Sequence, residues 1–201
     1  MALVPRQVDS DQRRHEIAIA TWRAIDELGV DGTTMRAIAD RAGCTIGRLN
    51  HYFERREDIM VSALRHAHAQ AAARMAISVT GRSGRDALHA VLLEALPLDD
   101  VRRTEWKVWL TFWAQAIATE SLRHEHEQRY REWRQLVTTL VADAVPAMRK
   151  AQVGRIADSL VATVDGIGIH TLMSRDAGAA RRARRTIESA LDAHLPRSTD
   201  R

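Results

Sequence analysis

Residues 33–53 read TTMRAIADRAGCTIGRLNHYF, two short amphipathic segments divided by a single left-handed turn, and few folds accommodate that punctuation. Thr34 is placed to cap a first helix whose apolar residues Met35, Ile38, Ala39 and Ala42 recur at helical spacing, and Gly43 supplies the residue that stops it. Thr45 then caps a second helix, which turns Ile46, Gly47, Arg48, Asn50 and His51 toward solvent and leaves Leu49, Tyr52 and Phe53 to pack inward. The pattern is that of a helix-turn-helix, a unit whose second helix enters the major groove of a DNA duplex.

Two helices this short cannot bury much surface alone, so a third is needed, and residues 11–28 supply it. Ile17, Ala20, Ala24, Ile25 and Leu28 form one broad apolar side with Trp22 at its flank; Arg13, Arg14, Glu16 and Asp26 fall elsewhere, and Gly29 closes the helix. The opening MALVPRQVDS and the closing PRSTDR lack periodicity and are expected to fray, with Arg6, Arg13 and Arg14 available as an arm toward phosphates.

Thr-x-Arg-x-Ile-Ala, then Ala-Gly-x-Thr-x-Gly, then His-Tyr-Phe, then Arg56, Glu57, Asp58 and Ile59 make the region resemble the tetracycline-repressor-like (TetR) family of bacterial regulators, densely over residues 17–59. The resemblance implies an all-α chain: an N-terminal three-helix helix-turn-helix DNA-binding domain, here residues 1–56, and a C-terminal helical ligand-binding and dimerisation domain, residues 57–201. It implies a homodimer on a palindromic double-stranded DNA operator. The chain departs from the family habit in two respects: Asn50 stands where an aromatic or small residue is frequent, and Arg55 and Arg56 stand where a lysine is frequent. The first changes which bases are read; the second keeps a phosphate-directed cation but alters its geometry. The expected DNA-binding residues are Thr34, Arg36, Thr45, Ile46, Gly47, Arg48, Asn50, His51, Tyr52 and Arg56. Of these, Arg48 and Asn50 address guanine and adenine edges, while Thr34, Thr45, Tyr52 and Arg56 hold phosphates.

A net charge of +4 over 201 residues is modest for a nucleic-acid binder, so the basic surface is expected as a local cluster of Arg36, Arg48, Arg55 and Arg56. The single cysteine, Cys44, excludes an internal disulfide and reads as a small apolar residue in the turn. With no evident signal peptide or apolar run of membrane-spanning character, the expected location is cytoplasmic, with no membrane partner.

From residue 57 onward the pattern is helical throughout. Helices are expected over about residues 57–79, 85–96 (ended by Pro97), 101–119, 121–145 (capped by Ser121), 150–174 and 179–195. Four of the five tryptophans lie between residues 106 and 133. Trp106, Trp109 and Trp113 make a stripe at helical spacing, and Tyr130 and Trp133 begin another on the next helix. In the eighth helix Asp165 shares a stripe with Val161, Gly168 and Leu172, so its carboxylate needs a partner: an arginine, a hydroxyl or a cationic ligand. Aromatic faces with a carboxylate suit a quaternary ammonium, which makes Trp106, Trp109, Trp113, Tyr130, Trp133 and Asp165 the candidate small-molecule effector site; the alternative is that the tryptophans are core. The segments WKVWLTFWA (106–114) and VDGIGI (164–169) resemble the choline-responsive repressors of glycine-betaine synthesis. That resemblance makes choline or another quaternary amine the candidate effector.

Ile156, Leu160, Val164 and Ile167, with Gly166 and Gly168 among them, and Ile187, Ala190 and Leu191 on the last helix are expected to form the dimer strip, the alternative being that they close the domain's own core. No Gly-rich phosphate loop, nucleophile elbow or metal motif is present; His124 and His126, like His66 and His68, point to different sides of their helices. No catalytic residue, cofactor or metal site is therefore expected. The competing reading is an architectural DNA-binding protein without an effector, and it leaves the aromatic second half unexplained.

Overall fold

The computed structural model describes residues 5–195, without the side chains of residues 5–9 and Val30. Nine α-helices and no strand occur among the described residues: α1 (Pro5–Gly32), α2 (Met35–Arg41), α3 (Ile46–Tyr52), α4 (Arg56–Ser78), α5 (Gly84–Glu94), α6 (Asp100–Ala118), α7 (Glu120–Ala144), α8 (Lys150–Met173) and α9 (Ala179–His194). The chain packs as two compact units, residues up to Gln70 with Lys107–His126, and Ala71–Trp106 with residues from Glu127 onward.

In the first unit α1 packs on α2 and α3, and the core beneath them is Ile17, Ile38, Ala39, Leu49, Phe53 and Ile59. Met35, Ala42, Cys44 and Tyr52 pack against that cluster. Each fully buried Ile or Leu in such a cluster contributes about 1.5 to 3 kcal/mol. Gly43, at φ 61°, makes the left-handed turn between α2 and α3. Further along, Ile25, Met60, Ala67 and Val108 form a second cluster flanked by Trp22, and Leu64, Phe112, Ala116 and Leu122 a third.

Four expectations for this unit are corrected. The first helix begins at Pro5 rather than near residue 11, Pro being well tolerated in a first helical turn. Gly29 does break it, with φ 69° and ψ −176°, but a further turn continues to Gly32. Leu28, placed on the apolar face by periodicity, is 45% exposed, because that break ends the regular helix just after it. Arg13 and Arg14 are engaged within the unit: Arg13 donates to the Ala42 carbonyl at 2.9 Å, closing the C-terminus of α2, and the Arg14 guanidinium lies 5.1 Å from the centre of the Phe53 ring. The Arg6 side chain and the closing PRSTDR lie outside the described residues.

In the second unit α8 packs on α9, and α9 on α5. One turn and a half of α6 anchors several partners. The Glu105 carboxylate, buried, takes a bidentate pair from Arg74 at 2.8 and 2.6 Å; Arg74 also reaches Glu94 at 3.3 Å. Arg103 donates to the Thr171 and Leu172 carbonyls at 3.1 and 2.8 Å, satisfying two groups that the end of α8 would leave orphaned. Burial pushes the Glu105 carboxyl up while Arg74 pulls it down, and burial prevails.

The expected dimer strip is corrected in part. Leu160, Val164, Ile187 and Leu191 are buried inside their own unit, where they close its core. Gly168 is occupied from within as well, since a Cβ there would lie 2.0 Å from Cη2 of Trp106. The seventh helix starts at Glu120, one residue before the expected cap. Contrary to expectation, one helix among the described residues, α8, is long and apolar enough by length and composition to cross a membrane. Its Leu160, Val161 and Val164 are spent on the core of the second unit.

Candidate nucleic-acid interface and effector site

The turn that precedes α3 sets the direction of the whole reading surface. Thr34 Oγ1 accepts the Ala37 N–H at 3.1 Å and Thr45 Oγ1 accepts the Arg48 N–H at 3.2 Å, so each hydroxyl closes a helix start as an acceptor and retains its own proton as a donor. Each such cap contributes about 1 kcal/mol to its helix. Leu49 is buried and Phe53 nearly so, which fixes the rotation of α3. Ile46, Gly47, Arg48, Asn50 and His51 consequently emerge on the surface, together with Thr34, Arg36 and Thr45. Tyr52 is half-buried against the reader core, and its ring meets the His51 ring edge-on at 5.2 Å. Arg56 is half-buried and donates to the Thr33 carbonyl at 3.3 Å, a tether across the reader that sequence spacing did not reveal.

The six aromatic and acidic residues of the candidate effector site are divided between the units. Trp109 and Trp113 pack on the Leu64, Phe112, Ala116 and Leu122 cluster of the first unit, where Trp113 also meets His126 edge-on at 5.8 Å. Trp106, Tyr130, Trp133 and Asp165 belong to the second. Trp106 is 1% exposed; its indole N–H donates to the Ala95 carbonyl at 2.8 Å and its ring lies flush on Gly168 of α8. Trp133 is half-buried on α7, one turn from Tyr130.

The structure brings Tyr130 and Asp165 together: the phenol hydroxyl donates to the carboxylate. Among the described residues no other hydrogen bond or ion pair reaches Asp165. Burial pushes its carboxyl above the usual range, and the Tyr130 hydrogen bond only partly opposes this. Burial, then the carboxylate, likewise hold the Tyr130 hydroxyl firmly protonated. Of the three partners open to Asp165 from sequence, the hydroxyl is present. A hydroxyl donates one proton and no charge, which leaves a half-buried anion without a described counter-ion.

Comparison with known proteins agrees with both halves. Residues 17–63 match the tetR family of bacterial regulatory proteins, and residues 84–196 match the C-terminal domain of BetI-type transcriptional repressors. The HTH-type transcriptional regulator PksA of Bacillus subtilis (strain 168) is 30% identical over 172 residues, covering 85% of this chain and 83% of its own. The HTH-type transcriptional regulator BetI of Paraburkholderia xenovorans (strain LB400) is 28% identical over 185 residues, covering 90% and 92%. In fold, the chain superposes on a transcriptional regulator from Saccharomonospora viridis crystallised with choline, at a TM-score of 0.81 and 23% identity over 90% of this chain and 96% of that one. With a tetR-type reader near its N-terminus and a BetI-type repressor domain over most of its C-terminal half, this chain belongs to the tetR family of DNA-binding transcriptional regulators.

Proposed function

We propose that this regulator represses transcription by holding a palindromic operator as a homodimer, one α3 in each half-site, and leaves it when a cationic small molecule occupies a site at Asp165. Residues 1–56 act as the reader and residues 57–201 as the effector and dimer part. Its partner being the cell's DNA, it works in the bacterial cytoplasm. The observation that carries the effector class is the Asp165 carboxylate, half-buried and, among the described residues, held by a neutral hydroxyl alone. A quaternary ammonium such as choline supplies the missing charge, with Tyr130 and Trp133 presenting rings from α7 and Trp106 lying one turn further along α8, at Gly168. The choline complex of a regulator of the same fold supports this choice. Calorimetry with choline and its neutral carbon isostere tests it: binding of the cation alone is expected, and equal binding of both overturns it.

Repression is then a population shift. A ligand that prefers the state unable to span two half-sites lowers operator affinity by its preference, about 1 to 3 kcal/mol for a useful switch, and operator DNA must weaken ligand binding by the same factor. For the reader, Arg48→Ala and Asn50→Ala are each expected to cost about 1 to 3 kcal/mol on the tightest duplex recovered from a randomised pool, and little on random DNA. Equal losses on both, in mobility-shift titrations, would make these residues phosphate contacts.

The surface proposed for the second copy is the outer stripe of α8. Ala162 and Gly166 are exposed there, beside Ile169 at 38% and Met173 at 74%. A single α3 reads few base pairs, so two held about 34 Å apart supply the specificity an operator requires. Because none of the described residues lies within 4 Å of a Cβ at Gly166, Gly166→Arg is expected to keep its helicity and turn a dimer into a monomer that loses tight operator binding. Light scattering at micromolar concentration reads the outcome, and an unchanged dimer would move the interface elsewhere.

A further inference from the structure

Nothing among the described residues calls for the glycine at position 47. It lies in the first turn of α3, its φ is not positive, and a Cβ built there finds only Thr45 Oγ1, at 4.0 Å. Alanine would favour the helix at no steric cost. Beside it stands Ile46, 43% exposed on a helix whose other surface residues are polar. One exposed isoleucine is ordinary on a protein surface, but this one shares a helix face with Asn50, four residues on. The two Cα atoms are about 6 Å apart along the axis, and stacked base pairs about 3.4 Å, so their side chains fall on pairs one or two steps apart.

We propose that Ile46 and Asn50 together read A·T pairs in each operator half-site, Ile46 by apolar contact with the 5-methyl group of a thymine and Asn50 by hydrogen bonds to N6 and N7 of an adenine. Gly47, bare between them, lets the helix backbone come close to the groove. In the major groove an A·T pair shows a donor, acceptors and one methyl, and an amide beside a branched alkyl group complements that set. A·T pairs are therefore fixed at the centre of contact, and uracil is discriminated from thymine at one position. This rests on the reading of α3 as the recognition helix.

The test uses the full chain and the tightest duplex recovered from a randomised pool, scanned by replacing each thymine with deoxyuridine and each adenine with 7-deazaadenine. Loss of the methyl contact is expected to weaken wild-type binding by about fourfold at one position per half-site. Ile46→Ala should bind thymine and uracil there equally, and Asn50→Ala should lose its response to 7-deazaadenine at a pair one or two steps away. Gly47→Ala should melt no lower than wild type yet bind the duplex at least tenfold more weakly. If every uracil substitution affects Ile46→Ala and wild type alike, or Gly47→Ala binds as wild type does, the proposal is wrong. Should that happen while Arg48→Ala still loses selectivity, α3 remains the reader. Should no α3 substitution change selectivity, the reader assignment falls with it.

Discussion

Gly168→Ala is expected to destabilise the protein by about 1 to 3 kcal/mol, although alanine is the better helix former by about 1 kcal/mol. The added Cβ would stand 2.0 Å from Cη2 and 2.1 Å from Cζ2 of Trp106. The indole has little freedom to withdraw, being 1% exposed and tethered through its N–H to the Ala95 carbonyl at 2.8 Å. Trp106→Ala should itself cost about 3 to 5 kcal/mol by leaving a cavity. The double variant should cost less than the two single costs combined, because the new methyl group then enters the space the ring has left. Urea unfolding followed by circular dichroism measures all three. A Gly168→Ala protein as stable as wild type would mean that Trp106 does not rest on α8.

That packing shows where the sequence was informative and where it was not. The helix-turn-helix was legible because its signals are local: two threonine caps, one glycine with positive φ, and apolar residues at helical spacing. The later helices were bounded within a residue or two for the same reason, by Pro97, Pro146 and the glycines between segments. Partners across the fold were another matter. Periodicity marks Leu160 and Val164 as apolar but is silent on whether α9 or a second copy covers them, and the structure buries them within the unit. The tryptophan stripe at 106, 109 and 113 was a true helical stripe, yet the unit boundary falls between Trp106 and Lys107, so its members serve different cores. Asp165 was singled out correctly as a carboxylate in need of a partner. That the partner is Tyr130, 35 residues earlier, depends on how α7 meets α8, and no local signal encodes it. Gly47 illustrates the converse: the structure shows that its backbone and its neighbours would both accept alanine, which the sequence could not reveal.

Asp165→Asn is expected to raise stability near neutral pH while weakening cation binding by about 30-fold or more, the loss that comes with removal of one member of a buried charge pair. Burial raises the folded-state value of this carboxyl above its ordinary 3.8. A group raised in this way stabilises the fold fully below its ordinary value and gives that contribution up as pH rises through the raised one. The variant and wild type should therefore melt alike at strongly acid pH and separate as pH climbs through that window, with the variant the more stable. A bound cation reverses the preference by pairing with the ionised form, so binding must release a proton inside the same window and affinity for choline must rise with pH across it. Tyr130→Phe supplies an independent check. The Tyr130 hydrogen bond is what holds the Asp165 carboxyl down, so its loss should move the midpoint of that pH dependence upward while the charge requirement persists. Thermal melts and calorimetry across pH read both effects. Choline affinity that is flat with pH, or an Asp165→Asn protein less stable than wild type at neutral pH, would show that the carboxylate is satisfied within the fold, and the aromatic residues of the second unit would then be core alone.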